Sequence, residues 1–264
     1  MGCCEKSERS SKLSSDITIA LAGNPNCGKS ALFNTLTGIR QKTGNWPGVT
    51  VERKEGRFSL DNNAITVIDL PGIYSLDASS LDEMVTRDYL LSHDSDLIIN
   101  VVDAGNLERN LYLTVQLLEM DVPMVLALNM MDVARKRGIH IDAHKLSTEL
   151  GCPVVPIVAI SGEGIEPLLS HMTAVTNGES TGGYRLAHEE CVEQAISDLL
   201  PLLQDDVRSN RHWLTLKLLE GDSDNHGAMD YAVSERLIYW RQHIEKRAGE
   251  DADIYIADTR YSHA

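Results

Sequence analysis

Eight consecutive residues near the amino terminus have the types and spacing that bind nucleotide phosphates. Residues 23–30, Gly-Asn-Pro-Asn-Cys-Gly-Lys-Ser, fit the pattern G-x-x-x-x-G-K-[ST]. Glycines let backbone N–H groups turn toward phosphate oxygens, and a helix that follows points its positive end at them. Lys29 would reach the β- and γ-phosphates, and the Ser30 hydroxyl would bind Mg²⁺. An apolar run before this phosphate loop and a helical pattern after it favour this interpretation over a chance turn.

Two later segments could complete the site around the γ-phosphate. Asp69 ends an apolar strand pattern, which is where the carboxylate of a Mg²⁺ site belongs, and Gly72 would bring a backbone N–H to the γ-phosphate. Between these motifs, segment 43–52 contains Thr50, whose hydroxyl we expect to bind Mg²⁺ from a mobile loop. Trp46 in this segment fits either a packed anchor or an exposed contact.

A third set of residues predicts that the base is guanine. Asn129-Met130-Met131-Asp132 follows an apolar strand pattern and is similar to N-K-x-D, with Met130 in place of Lys. The Asp132 carboxylate can accept hydrogen bonds from N1–H and the 2-amino group of guanine, and adenine lacks both donors. Met130 can pack over the base through its flexible thioether.

The loop after the last strand pattern is expected to complete the base site. In the stretch Ala159-Ile160-Ser161, the backbone N–H of Ile160 is placed to contact guanine O6. The full set of candidate nucleotide-binding residues is Asn24, Pro25, Asn26, Cys27, Gly28, Lys29, Ser30, Ala31, Gly48, Val49, Thr50, Asp69, Gly72, Asn129, Met130, Asp132, Ala159, Ile160 and Ser161.

Alternating strand and helix patterns predict the scaffold that holds these motifs. Short apolar runs read as strands and amphipathic runs as helices, at 17–22, 29–37, 50–60, 64–69, 97–102, 107–120, 122–129, 142–150, 154–159 and 163–175. This alternation is typical of βαβ units, so we predict an α/β fold: a mostly parallel sheet with helices on both faces, as in Ras-like P-loop GTPases.

The strand patterns stop near residue 176, which predicts a second domain. A polar, glycine-rich stretch at 177–183 resembles a linker. Amphipathic patterns follow at 186–203, 205–220, 231–248 and 253–261. We therefore expect a tail at 1–15, a nucleotide-binding domain at 16–176, the linker, and a small all-helical domain at 184–264.

Composition narrows the function classes. Among the 264 residues, 24 Lys and Arg face 39 Asp and Glu, for a formal net charge of −15. Such an acidic chain lacks the basic footprint of a nucleic-acid-binding protein, and no stretch approaches the about 18 apolar residues that span a bilayer. The first sixteen residues lack the apolar core of a secretory signal, so we expect the chain in the cytosol.

Four stretches together resemble the amino-terminal part of ferrous iron transport protein B of bacteria. They are residues 24–30, the segment 44–52 (Gly-Asn-Trp-Pro-Gly-Val-Thr-Val-Glu), residues 69–76 (Asp-Leu-Pro-Gly-Ile-Tyr-Ser-Leu) and residues 106–111 (Asn-Leu-Glu-Arg-Asn-Leu). The resemblance covers nearly all of the chain beyond residue 16. It implies a GTPase at the cytoplasmic face of the inner membrane, joined to a membrane transporter domain, with a helical domain that raises GDP affinity.

The resemblance also implies a role for K⁺. Ras-like GTPases place a Gln after the Gly72 position to orient the attacking water, but this chain has Ile73, which cannot do so. Members of the family use a bound K⁺, held partly by the residue that corresponds to Asn26. We therefore expect Mg²⁺ at Ser30, Thr50 and Asp69, K⁺ at Asn26, slow K⁺-stimulated GTP hydrolysis, and catalytic roles for Lys29, Asn26, Thr50 and Gly72.

Two other functions stay open at this point. Related motifs occur in ribosome- or RNA-associated assembly GTPases, against which the acidic composition argues. Because Ile73 cannot orient water, the chain could also be a nucleotide-binding switch with negligible turnover. The sequence leaves open whether several copies of the chain form a homo-oligomer.

Overall fold

The structure is a computed structural model of the chain. It describes residues 16–38, 41–61, 63–77, 80–92, 94–178, 186–203, 211–221 and 231–263. The expected tail at 1–15 and most of the expected linker at 177–183 lie outside these residues.

Seven strands form one mostly parallel sheet. The strands are β1 Ile17–Gly23, β2 Gln41–Asn45, β3 Glu52–Leu60, β4 Asn63–Asp69, β5 Leu97–Asp103, β6 Met124–Asn129 and β7 Val154–Pro156. Their order across the sheet is β2-β3-β4-β1-β5-β6-β7. Strands β4, β1, β5, β6 and β7 pair in parallel, whereas β2 and β3 add an antiparallel edge. The predicted fold class is confirmed.

Ten α-helices are present in the described residues. They are α1 Lys29–Thr37, α2 Leu81–Leu91, α3 Leu107–Glu119, α4 Met131–Lys136, α5 Ala143–Leu150, α6 Ile165–Thr176, α7 Glu190–Leu199, α8 Arg211–Glu220, α9 Tyr231–Ala248 and α10 Ala252–His263. The first six cover the sheet, and the last four pack on one another. Within the described residues, none of the helices is both long and apolar enough to cross a membrane.

The sheet is buried on both faces because its central strands are apolar at almost every position. In β1, Ile19 and Leu21 point into a core cluster with α1 and α6, whereas Ala20 and Ala22 point into the cluster with α3. This alternation is the two-residue period of a strand. The nearly continuous apolar runs of β1, β5 and β6 follow from it, since both of their faces are covered.

Three elements of the structure, β2, α2 and α4, were not predicted from the sequence. The edge strand β2 is exposed at all five positions, so it carries no apolar pattern. Helix α2 begins at a capping box, in which the Ser80 hydroxyl accepts from the Glu83 amide at 3.2 Å and the Glu83 carboxylate accepts from the Ser80 amide at 3.0 Å. Helix α4 has only six residues, too few to show a helical period.

Several predicted bounds were wrong by a few residues. Strand β3 starts at Glu52 rather than Thr50, and β7 stops at Pro156 because Val158 already pairs with Glu163 in a turn. Helix α6 starts at Ile165 because Gly164 before it is left-handed, at φ 80°. Helix α7 starts at Glu190 rather than at residue 186.

The last four helices have their own apolar core and meet the sheet domain through both charged and aromatic groups. Cys191, Ile196, Leu216, Leu237 and Ile256 are among the buried residues of that core. The boundary toward the sheet domain contains a buried ion pair and an aromatic stack with α3, and Trp213 of α8 joins the core of the sheet domain. Arg260 Nε of α10 donates to Glu119 Oε2 of α3 at 2.9 Å, and the Tyr261 ring stacks on Tyr112 with ring centroids 4.3 Å apart.

Candidate nucleotide site

The phosphate loop joins the carboxyl end of β1 to the amino end of α1. Its tight course needs two left-handed residues, Asn26 at φ 65° and Gly28 at φ 96°. A Cβ on Gly28 would lie 2.2 Å from Asn129 Nδ2, so glycine is required both by conformation and by this close approach. The loop therefore turns its backbone toward the space above the first turn of α1.

Lys29 is buried without a carboxylate partner among the described residues. Its Nζ donates to the backbone carbonyls of Gly23 and Asn24, at 2.9 Å each, and lies 4.0 Å from the Cys27 sulfur. Burial lowers the pKa of Lys29, although Cys27 and Asp69 oppose this shift. A buried ammonium with only neutral acceptors fits a site that takes up an anion.

Beside Lys29, Ser30 and Asp69 form a hydrogen-bonded pair. The Ser30 hydroxyl donates to Asp69 Oδ2 at 3.1 Å, and Asp69 Oδ1 is buried with no hydrogen-bond partner. Burial raises the pKa of Asp69, while Lys29 and the Ser30 hydrogen bond lower it. A buried carboxylate with an unused oxygen beside a hydroxyl is an oxygen donor set that Mg²⁺ prefers.

These groups line one cavity of about 490 Å³ at the carboxyl ends of the parallel strands. Its lining residues are Pro25, Asn26, Lys29, Ser30, Thr50, Val51, Glu52, Lys54, Asp69, Leu70, Pro71, Gly72 and Asp82. The structure thus brings together the candidates around the γ-phosphate from three separate motifs. Two candidates of the segment that carries Thr50 are not part of this lining: Val49 lines a different cavity beneath α2, and Gly48 lines neither.

Gly72 packs tightly against the phosphate loop. A Cβ at this position would lie 2.9 Å from Lys29 Nζ and 2.9 Å from the Pro25 Cα. The following residue, Ile73, is fully buried, and its amide donates to the Gly23 carbonyl at 3.2 Å. Ile73 therefore has its side chain in the core rather than toward the cavity.

At the opposite end of the site, Asn129 braces two loops. Its Nδ2 donates to the Cys27 carbonyl at 2.9 Å, and its Oδ1 accepts from the Ala159 amide at 3.0 Å. The side chain is only 3% exposed. One amide thus fixes the phosphate loop relative to the loop at 159–161.

Met130 and Asp132 follow in a short left-handed turn into α4. Met130 has φ 61°, and its terminal methyl lies 3.7 Å from a Cβ placed on Gly28, so the thioether packs against the phosphate loop. Asp132 is half-buried, with Lys136 Nζ 3.4 Å from its Oδ2. Ile160 is 88% exposed, which leaves its backbone as the group that can act on a base. Ser161 donates to the Val158 carbonyl at 3.2 Å and closes this loop.

Trp46 is a packed anchor in this structure. The ring is 7% exposed, meets Tyr89 edge-on with centroids 5.2 Å apart, and lies under the Arg53 guanidinium at 4.9 Å. Its amide donates to Val51 at 2.9 Å. The anchor therefore fixes one end of the segment that carries Thr50, while Thr50 itself is exposed.

Glu52, Lys54 and Asp82 also line the cavity, although the sequence analysis did not place them among the candidate site residues. Lys54 pairs directly with Asp69 across β3 and β4, so the two side chains share one face of the sheet. Leu60 pairs with Asn63 at the end of this ladder, and counting back from that pair would have found Lys54. Asp82 comes from the first turn of α2.

Comparison with known proteins identifies the two parts of the chain. The family described as "Ferrous iron transport protein B" matches residues 17–172, and the family described as "FeoB cytosolic helical domain" matches residues 188–264. The Fe(2+) transporter FeoB of Escherichia coli (strain K12) is 45% identical over 254 residues, which cover 93% of this chain and 32% of that protein. The relative in Salmonella typhimurium is 45% identical over 260 residues, with the same shares covered. The chain thus spans about a third of the length of these curated relatives.

Solved structures agree with this match over most of the chain. An S. thermophilus NFeoB mutant bound to mGDP has a TM-score of 0.88 and 40% sequence identity, covering 94% of this chain and 96% of that chain. The cytosolic domain of the T. maritima FeoB iron transporter in its GMPPNP form has a TM-score of 0.79 and 37% identity, covering 94% of this chain and 95% of that chain. The chain belongs to the ferrous iron transport protein B family.

Proposed function

We propose that the chain binds GTP and GDP and hydrolyses GTP at this cavity, as the regulatory part of a ferrous iron transporter. The observation that carries the proposal is the buried Lys29 ammonium, which lacks a carboxylate partner in the described residues and stands beside the Ser30–Asp69 pair. Relatives described as bound to mGDP or as a GMPPNP form share the fold at high structural similarity.

The phosphates would lie over the amino end of α1. Backbone N–H groups of residues 24–31 surround them, and Lys29 donates to the β- and γ-phosphates in exchange for one of its carbonyl partners. Gly72 offers its amide to the γ-phosphate, because its missing side chain lets the backbone approach Lys29. These contacts orient the triphosphate and stabilise charge that develops in the transition state.

Ser30, Thr50 and Asp69 would hold Mg²⁺, which neutralises phosphate charge when it is bound. The unpartnered Oδ1 of Asp69 and the Ser30 hydroxyl fit this ion. Thr50 lines the same cavity on the exposed segment after Trp46. It would join the other two when the γ-phosphate is present.

The base would lie at the end of the site braced by Asn129. Asp132 accepts from guanine N1–H and the 2-amino group, Met130 packs on the base, and the Ile160 amide donates to O6. Ala159 and Ser161 support the loop through the hydrogen bonds already described. Adenine would leave the Asp132 carboxylate without donors, which accounts for selectivity.

Hydrolysis would depend on a cation at Asn26. Ile73 is fully buried and offers no side-chain group to water, so backbone groups of Val49 and Thr50 would orient the nucleophile instead. Asn26 is exposed in the cavity lining, and its side-chain carbonyl is a hard oxygen donor that suits K⁺. We expect slow hydrolysis that K⁺ stimulates.

The setting of this activity would be the cytoplasmic face of a membrane. The curated relatives are iron transporters about three times longer than this chain, so the partner we propose is the transporter's membrane part. The domain division at residues 177–183 and the GDP-affinity role of the helical domain belong to the same proposal. Neither direct nucleic-acid binding nor a particular oligomeric state is required.

A nucleotide titration tests the binding part. GTP and GDP are expected to bind, and ATP to bind more weakly by about 100-fold or more, because the carboxylate of Asp132 is unpaired by adenine. The measurement is isothermal calorimetry with Mg²⁺ present. Equal affinity for ATP and GTP would contradict the assignment of the base site. Salt-dependent RNA binding would instead favour an RNA-associated GTPase.

Single-turnover cleavage tests the catalytic part. We expect faster GTP cleavage in K⁺ than in Na⁺, with the difference lost in Asn26→Ala. A matched control is Asn34→Ala on the exposed face of α1, which should keep the K⁺ response. A second function, nucleotide binding with negligible turnover, is favoured by the burial of Ile73. It would be supported if the chain binds GTP but cleaves none in K⁺ buffer.

A further inference from the structure

Tyr74 is held on the outside of the molecule by an arginine from another element. The Arg109 guanidinium carbon lies 4.3 Å from the centroid of the Tyr74 ring, in the geometry of a cation–π contact. Tyr74 is 40% exposed and follows Gly72 and Ile73 directly. Arg109 comes from the first turn of α3. The contact therefore joins the segment after Gly72 to the start of α3.

The same arginine also contacts the phosphate loop, through its backbone. The Arg109 carbonyl accepts from Asn24 Nδ2 at 3.4 Å, and Asn24 is only 3% exposed. Asn24 is in turn the residue whose carbonyl accepts from Lys29. Arg109 thus touches the loop beneath the phosphates with its backbone and the segment beside the γ-phosphate with its side chain.

The segment from Pro71 to Tyr74 is fixed by several contacts at its start and is exposed at Tyr74. Gly72 packs on Pro25 and Lys29, and the Ile73 amide donates to Gly23. Before them, the Pro71 carbonyl accepts from the Thr86 hydroxyl at 3.1 Å. Tyr74 is where the segment emerges to the surface. There its ring stacks on the Arg109 guanidinium.

We propose that Arg109 is a positioning residue for GTP hydrolysis: its stacking on Tyr74 holds the Gly72 amide in line with the γ-phosphate. This inference rests on the proposed function. Arg109 does not line the phosphate cavity, so it acts through Tyr74 rather than on the phosphate.

The position of the Gly72 amide matters because the side chain of the next residue cannot compensate for a misplaced backbone. A glutamine after Gly72 could hydrogen-bond to the attacking water and adjust to the phosphate. In this chain the residue is Ile73, whose side chain is buried in the core. The backbone near Gly72 must then be held in place beforehand, and a misplacement of about 1 Å can cost up to about 100-fold in rate. Ground-state binding depends on Lys29 and the phosphate loop, so it should change much less.

Four variants distinguish loss of the cation–π contact between Arg109 and Tyr74 from a change in side-chain size. Tyr74→Phe keeps an aromatic face for the guanidinium, and Tyr74→Leu removes it. Arg109→Lys keeps a cation, and Arg109→Met removes the charge with similar length. Arg247→Met is the matched control, because Arg247 is an exposed arginine paired with Glu190 at 3.7 Å on the helical part.

The measurements are single-turnover GTP cleavage in K⁺ buffer, GDP affinity and thermal unfolding. We expect Tyr74→Leu and Arg109→Met to slow cleavage by about tenfold or more, with GDP affinity within about twofold. Tyr74→Phe and Arg109→Lys should retain most of the rate, and Arg247→Met all of it. The double variant Tyr74→Leu/Arg109→Met should be no slower than either single variant, since both remove one contact.

Three results would overturn the proposal. Arg109→Met could cleave at the unmodified rate, Tyr74→Phe could be as slow as Tyr74→Leu, or the two single effects could multiply in the double variant. If the unmodified chain binds GTP but cleaves none, the proposed hydrolysis fails and this proposal with it. If it cleaves and Arg109→Met cleaves equally fast, only this proposal falls.

Discussion

Among the described residues two lysines are buried, Lys29 and Lys217, and their surroundings are opposite. Lys29 at the phosphate loop is 7% exposed and donates to two backbone carbonyls. Lys217 in α8 is 2% exposed and forms ion pairs with Asp77 at 2.5 Å and with Glu220 at 2.6 Å. Burial lowers the pKa of Lys29, whereas for Lys217 the carboxylates outweigh burial and raise the pKa.

The contrast distinguishes a ligand site from a structural one. A buried charge without a partner costs free energy, and a protein keeps such a group where a ligand supplies the partner. A buried charge with two carboxylates is satisfied by the fold itself. Around Lys217 the network continues, because Arg260 pairs with both Glu220 and Glu119. Lys29 thus has no carboxylate partner in the described part of the fold, while Lys217 holds the helical part on the sheet domain.

The largest expected effect is loss of stability on removal of the satisfied lysine. Lys217→Met should lower the free energy of unfolding by about 3–5 kcal/mol, because Asp77 and Glu220 would lose their shared cation. Urea unfolding at neutral pH measures the change. Lys246→Met, at an exposed position in the last turn of α9, should stay within about 0.5 kcal/mol. A Lys217→Met chain as stable as the control would remove the structural side of the comparison.

The same substitution at the other lysine should act on the ligand instead. Lys29→Met is expected to lower GTP affinity by about 100-fold, equivalent to about 3 kcal/mol of charge-assisted hydrogen bonding. Its free energy of unfolding should change little or rise, since an uncompensated buried charge is replaced by an apolar side chain of similar length. Calorimetry with GTP and urea unfolding give the two numbers. A stability loss as large as that of Lys217→Met would show that Lys29 is also a structural charge.

At alkaline pH, the contributions of Lys29 and Lys217 to the free energy of unfolding should change in opposite directions. Lys29 has a lowered folded pKa, so the unfolded chain binds more protons between that value and about 10.4, and Lys29's contribution to stability rises with pH in that window. Lys217 has a raised folded pKa, so its contribution is complete below about 10.4 and is lost as pH rises through the folded value. Urea unfolding between pH 7 and 11 measures both differences against the Met variants. Slopes of the same sign would contradict the comparison.

The sequence predicts a role for Lys29 but not for Lys217. Lys29 belongs to a motif whose chemistry is local, because eight consecutive residues contain the turn, the cation and the hydroxyl. The mostly parallel sheet followed from strand and helix alternation in the same way. Strand β2 was not visible, since an edge strand exposed at every position has no alternating apolar pattern.

Lys217 was invisible because its role depends on contacts between distant residues. Asp77 lies 140 residues before it, and Arg260 reaches Glu119 across 141 residues. In the sequence, a lysine within an amphipathic helix is typical of a solvated face. Only the packing of α10 on α3 and of α8 on α10 makes these charges partners, and no local pattern encodes that packing.

The smallest expected effect comes from the exposed partner of the buried lysine. The Asp77 side chain is 53% exposed, whereas that of Glu220 is 9% exposed. Asp77→Asn should therefore lower the free energy of unfolding by only about 0.5–1 kcal/mol, since solvent screens this pair and Glu220 still neutralises Lys217. Lys217 lowers the pKa of Asp77 against the effect of burial.

The pH dependence of this variant follows from that direction. The Asp77 contribution is complete above its unfolded pKa of about 3.9 and is lost as pH falls through the lowered folded value. The difference between the unmodified chain and Asp77→Asn should thus shrink in urea unfolding once the pH falls below that unfolded pKa. Because Asp77 lies in the segment that begins at Gly72, a small cost means that this segment can leave Lys217 while the Glu220–Arg260–Glu119 network stays intact. A loss as large as that of Lys217→Met would mean the opposite, that the segment after Gly72 cannot move without weakening the attachment of the helical part.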